Sequence, residues 1–345
     1  MTDIVLGFSG GVDSSVCAAL LRREGMRVQG LYLDNSGESA RREAEEAAAQ
    51  IGIPLRVLDI RDELEEKVCA PFAACYARGE TPNPCILCNP SLKFKSLLAE
   101  AEQVGAAWIA TGHYARAENG VLYKGRPSND QSYMLCRLTR EQLRHARFPL
   151  GGYEKTQVRA LAEELGLFAA KKPDSMEICF IPDKDYVNWL ARRGVQSSPG
   201  DFIFHGEALG RHEGICRYTV GQRRSGLHEG KKLYISRIDA AKNEIELALW
   251  EELFRTEVFA RDFHWLIDEP TEPLRASVRV RHTKWEEPPC TVYPGENGLV
   301  RIVCDTPVRA PAAGQSAVLY DGERVLGSGF ITSHLAETGT QCYNT

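Results

Sequence analysis

The sequence predicts an α/β fold in its N-terminal part, a parallel sheet with helices on both faces, followed by two small β-rich domains. Three observations carry this. From residue 3 onward, apolar runs of strand length alternate with stretches of helical periodicity, the pattern of repeated strand–helix–strand units. The first strand runs directly into a Gly- and Ser-rich turn, "GFSGGVDSS" at residues 7–15, that opens a helix. Beyond about residue 195 the helical periodicity gives way to short β-type runs divided by Gly, Pro, Asn and Asp.

Residues 3–8 read as a buried strand, and the stretch from Asp13 to Glu24 places apolar residues at helical spacing. "VQGLYL" is the second strand, "GESARREAEEAAAQIGI" a charged Ala/Glu helix that stops at a glycine, and "PLRVLDI" the third strand. A helix is expected near 91–104, then a further strand in "AAWIATG", then helical segments in "EKTQVRALAEELGL" and "DKDYVNWLARRG". After "SSPGDFIF" come the β-type runs "RYTV", "KLYISRI", "EIELAL", "ASVRVRH", "CTVYP", "GLVRIVC" and "SAVLY". The expected boundaries are 1–195 for the α/β domain, 196–252 for a central β-rich domain, 253–335 for a C-terminal β-barrel domain and 336–345 for a frayed tail.

A net charge of −5 excludes a surface that is basic all over, so a nucleic acid would have to meet local patches, and "GQRRSGLHEGKK" and "RVRHTKW" supply two. No run approaches the roughly 20 apolar residues of a membrane span, and the N-terminus lacks the pattern of a signal peptide. A cytoplasmic protein without a membrane partner is therefore expected. In that compartment the eleven cysteines, odd in number and widely scattered, are expected to be reduced. Cys17, Cys69, Cys136, Cys216 and Cys304 sit in apolar or unremarkable contexts and read as packing residues.

A turn as rich in Gly and Ser as "GFSGGVDSS" gathers backbone N–H groups at a helix N-terminus and makes an anion cradle. It lacks the Gly-Lys-Ser/Thr ending of a Walker A loop and the spacing of a dinucleotide turn. Ser-Gly-Gly-x-Asp-Ser at such a junction resembles the pyrophosphate loop of the ATP pyrophosphatases, which cleave ATP between its α and β phosphates. The resemblance implies an adenine-nucleotide α-hydrolase-like, Rossmann-like fold and ATP with Mg²⁺ as cofactors. It places the ATP site on Gly7, Phe8, Ser9, Gly10, Gly11, Val12, Asp13 and Ser14, with Asp13 as the Mg²⁺ ligand. The plainer alternative is an ordinary turn in which Asp13 caps the helix.

The second motif, "TPNPCILCN" at residues 81–89, holds Cys85 and Cys88 in the Cys-x-x-Cys spacing that serves a zinc site, a redox disulfide, an iron–sulfur cluster or a nucleophile. A structural zinc site needs four ligands, and the usual second Cys-x-x-Cys is absent. "TPNPCILCNPSLKF", "WIATGHYAR", "NDQSYMLCRLTREQL", "FPLGGYEKTQVRALAEELGL", "KKPDSMEICFIP", "YTVGQRRSGL" and "AGQSAVLY" occur in this order. Together they resemble the tRNA-specific 2-thiouridylases over residues 4 to about 331.

That resemblance implies ATP-dependent transfer of sulfur to C2 of the wobble uridine of tRNA, through an adenylated uridine and a cysteine persulfide. The sulfur would come from a persulfide donor, a cysteine desulfurase or a relay protein. By motif, Cys88 matches the nucleophile and Cys179 the persulfide carrier. Physical chemistry supports the pair: Cys88 is expected at the start of the helix "PSLKFKSLL" with Lys93 one turn on, and Cys179 follows Lys171 and Lys172, cationic settings that favour a thiolate. Leu33 and Gly112 match positions at the nucleotide. Asn83, Pro84 and Cys85 match the stretch that contacts the target base, and Lys93, His113, Asn129, Asp130, Gln131, Arg281, His282 and Gln315 match positions that meet tRNA.

The chain departs from the family pattern at Cys85, where relatives often carry an Asp assigned there to acid/base work. Cys85 thus reads as a base contact, or, with Cys88 and Cys179, as a ligand of a [4Fe–4S] cluster that carries sulfide on its fourth iron. Two further alternatives are an ATP-pyrophosphatase ligase acting on a small molecule and a zinc-containing RNA-binding module. Both leave part of the motif set without a role.

Overall fold

The computed structural model describes residues 2–35, 37–173, 178–195, 198–226, 228, 230–282 and 287–332. The chain forms two compact units: one holds Met1–Val68, Cys85–Pro182 and Glu323–Val325, the other Cys69–Pro84, Asp183–Gly322 and Leu326–Thr345.

The first unit is built on a five-stranded sheet in the order Leu55–Asp59, Val28–Asp34, Ile4–Gly7, Trp108–Ala110, Ala146–Arg147, and every pairing is parallel. Ile4 registers with Val28 on one side and with Trp108 on the other. The strand order reverses at Ile4–Gly7, so the crevice at its carboxyl end, between it and Trp108–Ala110, is the topological switch point where such sheets bind ligands. The core beneath that point includes Ile4, Leu6, Phe8, Val16, Ala18 and Leu21, with Ala47, Ala48 and Ile51 of the second helix. Helices Val12–Arg23 and Glu38–Ile51 agree with the expected segments, and Gly52 ends the latter in the left-handed conformation, φ +73°.

The helix expected near 91–104 starts earlier. It begins as Pro84–Cys88, passes through a π-helical turn at Asn89–Lys93 and continues as Phe94–Val104. Pro90 has no N–H to give to the preceding turn, which is the physical reason for the wider turn, and the Ser91 hydroxyl donates to the Leu87 carbonyl at 2.6 Å. The hairpin Ala115–Glu118/Val121–Lys124 lacked a clear periodicity in the sequence and was not anticipated.

In the second unit, Gly200–Phe204, Glu207–His212, Leu233–Asp239 and Glu244–Ala248 form a small sheet with Arg223–Arg224 at its edge, around a core of Phe202, Tyr218, Leu233, Ile235, Ile245 and Leu247. "RYTV" is not a strand: a 3₁₀ turn at Ile215–Arg217 leads into it, and the buried Tyr218 ring packs edge-on to Phe202. Six further strands, Phe254–Trp265, Leu274–Arg279, Pro289–Pro294, Val300–Arg309, Ser316–Asp321 and Arg324–Thr332, close into a barrel, because Phe254–Trp265 pairs with both Val300–Arg309 and Arg324–Thr332. Cys290 and Cys304 face each other across this barrel's strands, buried, with burial pushing their thiols up to about 12 and about 11. Among the described residues no helix is long and apolar enough to cross a membrane.

Candidate functional site

The Gly- and Ser-rich loop leaves the carboxyl end of Ile4–Gly7 at the switch point and enters Val12–Arg23 through Gly11. No side chain caps this helix, so its first-turn N–H groups face the loop without a side-chain acceptor. The Ser14 hydroxyl ties the loop together, donating to the Gly11 carbonyl at 3.2 Å and accepting from the Ser9 N–H at 3.3 Å. Gly10 sits at φ +71°, and a Cβ there would lie 2.8 Å from Ala44 Cα, so only glycine lets the second helix approach. Gly112 comes from the far side of the crevice, where a Cβ would stand 3.0 Å from Asp13 Cβ. Leu33 is half-buried near the end of Val28–Asp34. Gly7 to Ser14 thus line one concave, backbone-rich cradle with Gly112 against it.

Asp13 does not cap the helix. Its carboxylate accepts from Lys155 Nζ at 2.7 and 2.8 Å and from the Tyr114 hydroxyl at 2.7 Å. A second lysine, Lys172, donates to Glu43 at 2.8 Å and lies 3.4 Å from the Gly10 carbonyl. Sequence reasoning missed both lysines as parts of the cradle. One signal existed for Lys155: a cation in the first turn of a helix opposes the helix dipole and calls for a reason. Mg²⁺ commonly takes one or two carboxylates and completes its shell with phosphate oxygens and water. Asp13 is the carboxylate beside the cradle, and because both of its oxygens accept from Lys155, a metal ion there would share it with that ammonium or displace it.

The thiols form the second cluster of this unit. Cys88 ends the short helix Pro84–Cys88 rather than beginning a helix, so the helix N-terminus falls four residues upstream of it, at Pro84, and the expected N-terminal activation is absent. Burial pushes the Cys88 thiol up to about 11, opposed by the Lys93 ammonium and reinforced by Cys179 and Cys85. Cys179 is raised in the same way, by desolvation first and Cys85 next, while Lys93, its own backbone N–H and the Asn35 side chain pull it down. Cys85 thus raises both other thiols and Lys93 lowers both, although Cys88 and Cys179 lie 91 positions apart in the sequence. Asn35, just past Val28–Asp34, is the member that the sequence did not reveal. Cys85 and Cys179 are exposed and Cys88 is half-buried; Cys17, Cys69, Cys136 and Cys216 are buried packing residues, as is Cys75. Among the described residues no three Cys, His, Asp or Glu side chains form a metal-holding group, which does not favour the cluster or zinc readings.

His113 faces the same ammonium. Burial, then Lys93, holds its imidazole well below the usual range, so it is neutral, with Nδ1 2.7 Å from Thr111 Oγ1. Asp130 is buried and spends its carboxylate on the N–H groups of Gly125 and Ser132 and the Ser132 hydroxyl, at 2.9–3.0 Å. Gln131 Oε1 accepts from the Tyr114 N–H at 3.0 Å, and the Asn129 N–H donates to the Arg126 carbonyl, also at 3.0 Å. Gln131 braces the chain at Tyr114 from both sides, since its own N–H donates to the Tyr114 carbonyl at 2.8 Å. In the other unit, Asn83 and Pro84 lead into the cysteine helix, Arg281 donates to the carbonyls of Val220 and Ala310, His282 is exposed, and Gln315 Nε2 donates to the Thr81 carbonyl at 2.6 Å. Of the expected motif residues, 174–177 in "DSMEICFIP" and 283–285 in "RVRHTKW", and the expected tail 336–345, lie outside the described residues.

Family models agree with this architecture. Residues 2–183 match a model described as tRNA methyl transferase HUP domain, 188–248 a tRNA methyl transferase PRC-barrel domain and 255–331 an aminomethyltransferase β-barrel domain. Similar curated proteins include the tRNA-specific 2-thiouridylases of Syntrophotalea carbinolica and Acetivibrio thermocellus, each 42% identical over 95% of this chain and 98% of the relative. That of Geobacter metallireducens is 41% identical over 97% of this chain and 98% of the relative.

Proposed function

The chain belongs to the tRNA-specific 2-thiouridylase family, and from that premise we propose that it uses the cradle to adenylate a uridine of tRNA and the thiol cluster to replace the activated oxygen with sulfur. The observation that supports this best is that one compact unit holds both an anion cradle at the switch point of its parallel sheet and the thiols of Cys88 and Cys179, each of which the Lys93 ammonium lowers.

In the first step the uracil O2 attacks the α-phosphorus of ATP, the bond from α-phosphorus to the bridging oxygen breaks, and pyrophosphate leaves. The uncapped N–H groups of Val12–Arg23 and the loop amides from Ser9 to Gly11 receive the phosphate charge without reorganising. Asp13 would hold Mg²⁺, which when bound screens the phosphate charge. Lys155 and Lys172 stand within reach of the loop as the remaining cations.

In the second step sulfur delivered by a donor, a cysteine desulfurase or relay protein, resides on Cys179 as a persulfide. Its terminal sulfur attacks C2, AMP departs with the former O2, and the Cys88 thiolate attacks the Cys179 sulfur. The S–S bond of the persulfide breaks, the new sulfur stays on C2, and a Cys88–Cys179 disulfide forms that a thiol reductant returns to the starting state. Because a stacked base hides its C2 edge, the uridine is flipped out to reach the thiols. This is sulfur-group transfer, so the enzyme is a tRNA-uridine 2-sulfurtransferase.

The test is mass spectrometry of tRNA nucleosides after incubation with ATP, Mg²⁺ and a persulfide source. The expected result is 2-thiouridine at the wobble position, with pyrophosphate release that requires tRNA. Pyrophosphate release that ignores tRNA and tracks a small-molecule acceptor would instead make the protein a ligase.

A further inference from the structure

Within the second unit, helix Ala70–Ala77 is followed by Gly79, whose φ of +74° turns the chain and where a Cβ would meet Ile238 at 2.8 Å. The next two residues are gripped by the barrel. Glu80, 7% exposed, accepts from Arg78 Nη2 at 2.8 Å and from Arg261 Nη2 at 2.7 Å. The Thr81 N–H donates to the Ala313 carbonyl at 2.8 Å, and its own carbonyl accepts from Gln315 Nε2 at 2.6 Å. Gly314, at φ +86°, lets the barrel turn approach: a Cβ there would stand 3.0 Å from Glu80 Cβ and 3.1 Å from Thr81 N. A cavity of about 870 Å³ lies against the segment, and its lining mixes charged side chains, Arg78, Glu80, Arg237 and Arg261, with apolar ones such as Ile238 and Phe259.

Pro82 and Pro84 fix two backbone angles in the residues that follow, and little slack separates Thr81 from Asn83 and Pro84, the stretch assigned to the target base. A buried ion pair such as Glu80–Arg261 adds little net stability after desolvation; its best-attested use is to fix register. We propose that Glu80, Arg261 and Gln315 are positioning residues: the barrel holds Glu80 and Thr81 and thereby sets where Asn83 and Pro84 present the target uridine. Gln315 acts through Thr81, whatever else its side chain meets. This rests on the thiolation reading above.

The test uses the full chain with tRNA, ATP, Mg²⁺ and a persulfide donor, and compares Arg261→Met, Arg261→Lys and Glu80→Gln with the parent. Four quantities are measured: kcat for 2-thiouridine formation, KM for tRNA, ATP affinity and melting temperature. Arg261→Met and Glu80→Gln are expected to lower kcat roughly tenfold or more, since a shift of ~1 Å in a reacting group costs that much, with KM and ATP affinity within about twofold. Arg261→Lys, which keeps the charge but loses the forked geometry, recovers part of the rate. Parent kcat in both Arg261→Met and Glu80→Gln overturns the proposal, as does a loss of rate matched by falling ATP affinity and melting temperature. A parent protein that forms no 2-thiouridine overturns the thiolation reading itself, which separates the two failures.

Discussion

The cradle and the thiol cluster lie in the same unit, yet they are prepared for chemistry in opposite ways. The cradle consists mainly of backbone: loop amides, an uncapped helix end and two glycines whose side chains would collide with Ala44 and Asp13. Amide donors cannot be titrated away, so this site is ready at any physiological pH. The cluster consists of side chains whose reactive form is disfavoured. With the Cys88 thiol pushed up to about 11, on the order of one molecule in a thousand is a thiolate at pH 8, and Lys93 is the cation that opposes this burial. ATP chemistry is thus preorganised, whereas sulfur chemistry waits on a change around the thiols.

The largest effect expected separates the two regions outright. Asp13→Asn should abolish tRNA-dependent pyrophosphate release, because the cradle loses its carboxylate, while alkylation of Cys88 proceeds at the parent rate. Cys88→Ser or Cys179→Ser should do the reverse, leaving pyrophosphate release and removing 2-thiouridine, since a serine hydroxyl neither forms a persulfide nor cleaves one. Release of pyrophosphate and nucleoside mass spectrometry read the two halves; 2-thiouridine from either serine variant at the parent rate would remove the relay.

Next in size is the pH response. In the tRNA-free protein the rate of Cys88 alkylation by iodoacetamide should rise about tenfold per pH unit from 7 to roughly 10 and level off near the titration at about 11. A plateau reached below pH 9 would show that the thiol is already activated and that the contrast with the cradle is false. Lys93→Gln tests the same point from the other side. Removing the cation that lowers both Cys88 and Cys179 raises the two thiols further and should slow alkylation and thiolation by about three- to tenfold at fixed pH, the weight of one nearby charge in a partly buried site. Lys93→Arg should keep most of the rate, and pyrophosphate release should change in neither variant. Equal loss of both half-reactions would place Lys93 on the substrate backbone instead.

The same contrast explains what could be read from the sequence. The cradle was legible because eight consecutive residues, Gly7 to Ser14, make most of it and their types follow from backbone need: glycine where helices and strands approach, serine where the loop must be tied. Parallel strands were legible as apolar runs between helices, and the reversal of strand order then fixed which crevice they share. Cys88 and Cys179 stand out in the sequence only through motif resemblance, and the surroundings that shift their thiols do not stand out at all. Asn35 meets Cys179, and His113 meets Lys93, only through the fold, and the π turn depends on Pro90 in a segment whose periodicity reads simply as helix. The thiolate expected at a helix start was wrong for that reason: the helix begins at Pro84, and burial outweighs what Lys93 returns. Asp130 and Gln131 show the same limit, since hydrogen bonds that turn a polar side chain inward leave no trace in one sequence.

The smallest expected effect concerns Cys85, whose charge would raise both Cys88 and Cys179. In a relay through Cys88 and Cys179, Cys85 is not consumed, so Cys85→Ser should thiolate tRNA within about threefold of the parent. Cys85→Asp places a permanent negative charge where the thiol stood, raising Cys88 and Cys179 together, and should slow alkylation of Cys88 severalfold at pH 8 while 2-thiouridine still forms. A cluster held by Cys85, Cys88 and Cys179 predicts something different in kind: both substitutions remove a ligand, and iron, acid-labile sulfide and activity disappear together. Anaerobic purification of the parent and the two variants, with iron and sulfide measured on the same samples as thiolation, therefore distinguishes a modest electrostatic change from a lost cofactor. An iron-free Cys85→Asp protein that thiolates tRNA leaves the relay as the only account of the three thiols. Stoichiometric iron in the parent that vanishes with activity in Cys85→Ser would mean that the high pKa of Cys88 describes a ligand awaiting metal rather than a nucleophile awaiting substrate.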